Sequence, residues 1–150
     1  MTQNIDGLHQ RAGSPAVLEL HGNLGRARCE DCDGRLPMDE AMTRAGSPPR
    51  CDCGGRLRPD VVWFGEMLPP GAIESAAEAA ENCDLLVTVG TSATVYPAAG
   101  LIEIARRSGA LVVEVNPEPS ALAGLALWQI PAPAGRALPA LTERLEAWRS

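Results

Sequence analysis

Asp84-Leu85-Leu86-Val87-Thr88-Val89 runs into Gly90-Thr91-Ser92, and Ala110-Leu111-Val112-Val113-Glu114-Val115 runs into Asn116-Pro117-Glu118-Pro119. Each is a short, near-continuous apolar stretch, which reads as a strand covered on both faces. Between them, Pro97 to Ser108 repeats apolar residues at helical spacing (Leu101, Ile102, Ile104, Ala105), and Gly109 stops it. Strand, helix, strand in this cadence predicts a parallel α/β sheet with right-handed crossovers. The flanks extend the pattern. Pro69-Pro70-Gly71 opens a helix over Ala72 to Asn82, with Ile73, Ala76, Ala77 and Ala80 on one face and Glu74, Glu78 and Glu81 on the other. Trp128 to Ile130 reads as a last short strand, and Leu138 to Trp148 as an amphipathic helix with Leu138, Leu141, Leu145 and Trp148 on its apolar side.

Ligands of open parallel sheets bind beyond the carboxyl ends of the strands. Three polar loops are expected there: Gly90-Thr91-Ser92, Asn116-Pro117-Glu118, and a turn near Pro133-Ala134-Gly135. Each offers backbone N–H groups or short side chains to a ribose or phosphate, and together they point to a nucleotide. No G-x-G-x-x-G follows a strand in these residues, so the phosphate-gripping half of a dinucleotide fold is not among them.

Ahead of the sheet, Cys29-Glu30-Asp31-Cys32 and Cys51-Asp52-Cys53 form two close thiol pairs separated by 18 residues. Two such knuckles can aim four sulfurs at one tetrahedral zinc ion, and the turns around them carry Gly and Asp (Asp33-Gly34, Gly54-Gly55). The competing reading is two disulfides or core cysteines. Four thiolates leave no open position for water, so a zinc held there is structural, one per chain, and the chemistry lies elsewhere. Cys83 is outside the quartet by spacing and reads as a small apolar residue.

At 150 residues and 45% hydrophobic, the chain is long enough for one core plus a small metal-held insert. No apolar run reaches membrane-spanning length and no charged lead precedes an apolar segment, so a soluble, cytoplasmic protein without a membrane partner is expected. In that reducing setting paired cysteines read as metal ligands. The net charge is −6, and all 13 basic residues are arginine. Arg26, Arg28, Arg35, Arg50, Arg56 and Arg58 cluster around the cysteines, but Glu30, Asp31, Asp33, Asp39, Glu40 and Asp52 match them. No basic stripe survives, and nucleic acid is not an expected partner.

The remaining segments carry polar motifs on short elements. Thr2 to His9 reads as a loop, Gln10 to Pro15 as a helix end and turn, and Ala16 to Leu20 as a strand ending at His21-Gly22. After the cysteines, Val61-Val62-Trp63-Phe64 reads as a strand closed by Gly65-Glu66.

Taken in order, Thr2-Gln3-Asn4-Ile5-Asp6-Gly7-Leu8-His9, Glu19-Leu20-His21-Gly22, the cysteine quartet, Arg58-Pro59-Asp60-Val61-Val62-Trp63-Phe64-Gly65-Glu66, Val89-Gly90-Thr91-Ser92 and Val115-Asn116-Pro117-Glu118 closely resemble the sirtuin family of NAD-dependent protein-lysine deacylases. The likeness covers nearly the whole chain. It implies a partial Rossmann-type parallel sheet (1–24 and 60–150) with an inserted zinc-binding module (25–59) and an active cleft between the two. It also implies that Gln3, Asn4, Ile5 and Asp6 lie on the nicotinamide side of NAD+, and that Gly90, Thr91, Ser92, Asn116, Pro117, Glu118 and Ala134 hold the adenosine side. His21 would be the general base, and His9 a positioning or structural residue. Val62, Trp63, Phe64, Gly65 and Glu66 would pair with an acyl-lysine peptide as an added strand.

Two departures from the family pattern stand out. The second cysteine pair is one residue shorter than usual, and the family's amino-terminal segment with its glycine-rich phosphate loop is absent. Trp63-Phe64-Gly65-Glu66 looks like the bacterial branch that includes removers of acidic acyl groups, and the acyl preference stays open. The competing functional reading is a truncated, catalytically silent zinc-binding fragment. A sheet lacking strands on one side is expected to leave apolar surface on Leu86, Val112 and their neighbours uncovered, and these residues without the phosphate loop are expected to bind NAD+ poorly and deacylate weakly or not at all.

Overall fold

Two sheets carry the fold, one in each of the two compact units into which the chain divides, Met1–Ile73 and Glu74–Ser150. The computed structural model describes residues 1–92, 94, 96–121 and 123–149, apart from the side chains of 123, 148 and 149. The expected place of Trp148 on an apolar helix face therefore lies outside the described residues.

In the first unit a short helix, α1 (Leu8–Arg11), precedes β1 (Gly22–Cys29), which lies between β2 (Arg35–Pro37) and β3 (Leu57–Val61), antiparallel to both. The β1–β3 ladder runs from Gly22 opposite Val61 to Cys29 opposite Leu57, with an irregularity between Asn23 and Ala27. Pro59 is tolerated in β3 because this is an edge strand, where the missing N–H breaks no second ladder. Ala27, Cys29 and Leu57 form a small core with Ala41 of α2 (Met38–Thr43), surrounded by Leu36, Met38 and Cys51. Gly22 is indispensable to this pairing. It sits at φ +79°, and a Cβ there would lie 2.0 Å from the Asp60 carbonyl oxygen.

Two expected strands are corrected here. Ala16 to Leu20 forms only one parallel bridge, Thr2 with Glu19, made by Thr2 N–H to the Leu18 carbonyl at 2.8 Å and Leu20 N–H to the Thr2 carbonyl at 3.0 Å. A strand needs a partner along its length, and this segment has a partner at one residue. The strand expected over Val61 to Phe64 ends at Val61. A turn follows, closed by Glu66 N–H to the Trp63 carbonyl at 3.0 Å, and it leaves the Trp63 and Phe64 side chains exposed.

In the second unit β4 (Leu85–Val89), β5 (Leu111–Val115) and β6 (Trp128–Ile130) form the expected parallel sheet with β5 central. Helix α4 (Gly100–Arg107) buries Leu101, Ile102 and Ala105, and Ile102 meets Val112 with Leu86, Leu125 and Ala126 around them. Helix α3 (Ala72–Glu81), which crosses the boundary between the units, buries every fourth residue: Ala72, Ala76 and Ala80. Helix α5 (Ala134–Arg149) starts four residues before the expected Leu138. The Pro133 carbonyl accepts from both Arg136 and Ala137 N–H at 3.0 Å, so a Pro-Ala-Gly run that resembled a turn is the first turn of a helix. Pro139, early in that helix, costs it one backbone hydrogen bond.

The expectation that both faces of the strands are covered is also corrected. Val112 is only 3% exposed and Leu86 packs beside it, whereas on the opposite face Leu85 (52%), Leu111 (47%) and Trp128 (57%) stand open, with Val87 and Val89 between. Register explains the division: Leu85 is opposite Leu111, and Val113 opposite Trp128, so one face collects all of these side chains. Among the described residues, α4 and the 3-10 turn Ala123–Leu125 cover the Leu86 and Val112 face.

Replacing Gly22 by alanine forces both a left-handed backbone and a clash with the main chain of β3. Gly22→Ala is expected to destabilise the first unit by at least about 2 kcal/mol in denaturant unfolding. Gly13→Ala is the control: its φ is +83° but nothing lies within 4 Å of the added carbon. It should cost only about 1 kcal/mol, and equal losses in the two variants would refute the role given to the β3 contact.

Candidate functional site

The cysteine quartet is assembled by the first sheet. Cys29 ends β1, and its N–H donates to the Gly34 carbonyl at 2.9 Å, closing the first knuckle. The second is closed by Cys51 N–H to the Gly55 carbonyl and Gly54 N–H to the Cys51 carbonyl, both at 2.9 Å, with Gly54 at φ +91°. Among the described residues, Cys29, Cys32, Cys51 and Cys53 place their sulfurs within 4.8 Å of one another, with Cys29 to Cys53 at 3.5 Å and Cys32 to Cys51 at 3.8 Å. Sulfurs about 2.3 Å from a tetrahedral zinc lie roughly 3.8 Å apart, so the donor set fits one zinc ion. The shorter Cys51–Cys53 spacing does not prevent this. A Cβ on Gly55 would stand 2.6 Å from the Cys29 sulfur, so only glycine leaves that sulfur its space.

The Asp31 and Cys32 N–H groups hold the Cys29 thiol down at about 7, despite its burial. At Cys53 the Gly55 N–H acts in the same direction, but the neighbouring thiols Cys29 and Cys32 outweigh it and push the group up to about 12. One sulfur is thus ready to ionise while its neighbour resists a second negative charge, the conflict that a bound dication removes. Cys83 stands apart, with its thiol donating to the Ala80 carbonyl.

At the other end of β1, His21 Nδ1 lies 3.1 Å from the Gln3 carbonyl. A carbonyl only accepts, so Nδ1 carries the proton and Nε2 of the neutral ring keeps its lone pair. The His21 carbonyl accepts from Val62 N–H at 3.0 Å, which pins the residue between the Gln3 segment and the chain leaving β3. The neighbouring loop is held by Leu24 N–H to the Ile5 carbonyl (2.8 Å), Asn4 N–H to Thr2 Oγ1 (3.1 Å), and Leu8 N–H to Asp6 Oδ1 (3.0 Å), which starts α1. Gln3 and Ile5 thus meet β1 through their main chains, while Asn4 and Asp6 remain exposed.

Glu66 accepts both terminal nitrogens of Arg58 at 2.6 Å and the Trp63 N–H at 3.1 Å. Arg58 also lies 5.8 Å from the centre of the Trp63 ring. Hydrogen bonds from Arg58 and from the Trp63 N–H hold the Glu66 carboxyl down at about 2. The turn presents Trp63, Phe64 and Met67 outward beside this ion pair.

In the second unit, Gly90, Thr91, Ser92, Asn116, Pro117 and Glu118 lie together at the carboxyl ends of β4 and β5, as expected. Gly90 N–H donates to the Val115 carbonyl at 3.0 Å, and the Asn116 side chain donates to the Thr91 carbonyl at 2.9 Å, tying the two loops to each other. Ala134 is the first residue of α5, not part of a turn. Glu19 and Asp60 stand in the quoted motifs, and Arg26 and Gly55 near the cysteines, but their contacts were not legible there: Arg26 joins Glu19 to Asp60, and Gly55 makes room for the Cys29 sulfur.

With this geometry in place, the comparisons are specific. The Sir2 family model matches residues 1–97. A Mycobacterium tuberculosis protein named NAD-dependent protein deacylase is 51% identical over 153 residues, covering 98% of this chain and 64% of that protein. A Thermus thermophilus protein of the same name is 59% identical over 127 residues, covering 84% of this chain and 49% of its own. Among solved structures, a complex of a Sir2 homologue with NAD superposes with TM-score 0.92 at 40% identity, covering 99% of this chain and 58% of that one. A Sir2 protein bound to a propionylated peptide gives 0.88 at 36% identity, covering 95% and 62%. The parallel sheet with its cysteine module is thus a Rossmann-type α/β fold of a known kind. The chain belongs to the Sir2 family, and it spans about 64% of the length of its mycobacterial relatives.

Two outcomes test this geometry. Purified protein should contain about one zinc per chain, lost in Cys32→Ala and Gly55→Ala and kept in Cys83→Ala, as read by elemental analysis. Because Glu66 is depressed in the folded state, its contribution to the turn is complete above the ordinary value of 4.5 and is lost as pH falls toward 2. Its carboxyl carbon should titrate near 2 by NMR and return to near 4.5 in Arg58→Ala; a midpoint near 4.5 in the unaltered protein would break the ion-pair account.

Proposed function

We propose that this chain carries the base and the peptide-facing turn of an NAD-dependent protein-lysine deacylase that transfers the acyl group to ADP-ribose and releases nicotinamide. The observation that carries the reading is the His21 ring, whose Nδ1 proton is committed to the Gln3 carbonyl so that Nε2 is free to take a proton. In this mechanism the acyl-lysine oxygen attacks the anomeric carbon of the nicotinamide ribose, and nicotinamide leaves with the bonding pair. His21 Nε2 then draws the proton from a ribose hydroxyl, whose oxygen adds to the imidate carbon. The imidazolium returns its proton to the lysine nitrogen, which departs as the amine; a water adds to the acyl carbon in its place and loses a proton, and the acyl group remains as an ester on ADP-ribose.

Gln3, Asn4, Ile5 and Asp6 belong on the nicotinamide side, where their loop abuts His21. Gly90, Thr91, Ser92, Asn116, Pro117, Glu118 and Ala134 belong on the adenosine side, at the strand ends where open sheets take nucleotides. Val62, Trp63, Phe64, Gly65 and Glu66 face the substrate protein or peptide. The Val62 and Trp63 N–H groups are taken by the His21 carbonyl and the Glu66 carboxylate, so a paired peptide would use the Val62 carbonyl and the Phe64 backbone. Cys29, Cys32, Cys51 and Cys53 would hold structural zinc, which supplies folding energy to the module and no chemistry. In this reading 25–59 is the zinc module, and 1–24 with 60–150 the NAD-binding domain. The names of the relatives, and the neighbouring structures solved with NAD and with a propionylated peptide, support it.

Among the described residues no helix is long and apolar enough to cross a membrane. The cytoplasm is the compartment that suits paired thiolates read as zinc ligands.

The test is nicotinamide release and peptide deacylation when the protein meets an acyl-lysine peptide and NAD+. His21→Ala should lower turnover by roughly 100-fold or more with zinc retained, and near-normal turnover would remove His21 from the mechanism. Absence of both turnover and calorimetric NAD+ binding in the unaltered chain would favour the silent zinc-holding fragment.

A further inference from the structure

A partly buried charge cluster begins at Glu19, two residues before His21, and takes no part in the chemistry above. The Glu19 carboxylate accepts Asn23 Nδ2 at 2.5 Å and Gln10 Nε2 at 2.6 Å on one oxygen, and Arg26 at 2.6 Å on the other. Arg26 passes on to Asp60 at 3.2 Å, and Arg35 meets the same Asp60 oxygen at 3.0 Å. Both carboxylates have only 12% of their side-chain surface exposed. Burial pushes the Glu19 carboxyl up, but its bonds from Asn23 and Arg26 outweigh this and hold it below the usual range, so it is a charged acceptor at neutral pH.

The placement of these bonds gives them a purpose. The Glu19–Asn23 link spans residues 20–22 and closes a loop with His21 at its centre. Asn23 is buried, its Oδ1 accepts Gly25 N–H at 2.7 Å, and this fixes which end of its amide faces Glu19. The backbone on either side of Glu19 holds Thr2, through the Leu18 carbonyl and the Leu20 N–H, and the residue after Thr2 supplies the carbonyl that takes the His21 proton. The Gln10 bond ties α1 to the same carboxylate. Three donors on two elements thus orient the segment that decides which His21 nitrogen is protonated. Leaving a buried amide and a guanidinium without their acceptor would loosen that segment while Leu20, only 1% exposed, still anchors the chain.

We propose that Glu19 is a positioning residue for His21, holding the Gln3 carbonyl where it selects the Nδ1–H tautomer and leaves Nε2 as the proton acceptor. The consequence for catalysis rests on His21 being the base, but the selection of the tautomer does not. The experiment therefore reads the tautomer directly, by ring-nitrogen NMR shifts of the 150-residue chain labelled at histidine, above the pH at which imidazole is charged. His21 should be almost wholly Nδ1–H in the unaltered protein. Glu19→Ala should lose most of that population in favour of Nε2–H, the form free imidazole side chains prefer, with zinc content unchanged. Glu19→Gln, which keeps an oxygen for Asn23 and removes the charge from Arg26, should shift the ratio part of the way. An unchanged ratio in folded Glu19→Gln, or loss of zinc and native dispersion in both variants, overturns the proposal, the latter making Glu19 a folding residue only. If the ratio shifts yet His21→Ala leaves turnover intact, the positioning stands and the base assignment falls.

Discussion

The pairing of β1 with β3 is the constraint on which the rest of the first unit depends. One ladder sets both functional ends of the strand: Cys29 opposite Leu57 begins the sulfur cage, and Gly22 opposite Val61 places His21 beside Gln3. The irregularity between Asn23 and Ala27 lets eight residues of β1 face five of β3. Closest approach occurs at Gly22, where no side chain other than hydrogen fits over the Asp60 carbonyl. The cysteine knuckle and the histidine turn are thereby linked through one strand.

Charge is organised around the same ladder. Arg26, Arg28 and Arg58 lie on its strands, with Arg35 in register beside Arg28, a row that would repel itself without Asp60, Glu19 and Glu66 interleaved. Exposed ion pairs contribute only about 0–1 kcal/mol each. Glu19 and Asp60 differ in that both carboxylates are mostly covered and each accepts from more than one donor, so losing a partner strands a polar group at a cost of about 1–3 kcal/mol. Acidic residues that balance the arginines on paper therefore act as fixed acceptors. This is why the arginine-rich module offers no basic stripe.

The second unit obeys a different rule. A parallel sheet of three strands with one face covered by α4 leaves the Leu85, Leu111 and Trp128 face open. The strands are apolar on both faces, as expected of sheets covered on both sides. At their carboxyl ends the Asn116 amide, bonded to the Thr91 carbonyl, couples the two loops that the strands deliver.

Much of this was legible in the sequence because it rests on periodicity and spacing. The run Leu85 to Val89, the stripe of α4 and the run Leu111 to Val115 define a parallel α/β sheet from residue order alone. Two thiol pairs define a tetrahedral donor set, and the motifs from Thr2 to Glu118 define the family. Strand boundaries were not legible: Ala16 to Leu20 looks like a strand but has one partner residue, and Val61 to Phe64 looks like a strand but leaves the ladder at Val61 for a turn closed by Glu66 N–H on the Trp63 carbonyl. Nor could sequence show that Leu86 and Val112 are covered while Leu85 and Leu111 are not, since alternation within an all-apolar strand carries no sign until a helix packs on one side. Contacts between residues far apart in the chain decided the remainder. The Gln3 carbonyl meeting His21 across 18 positions, Arg26 meeting Asp60 across 34, and Gly55 yielding space to the Cys29 sulfur exist only once the β1–β3 ladder has formed, because no local pattern encodes a distance that the ladder itself creates.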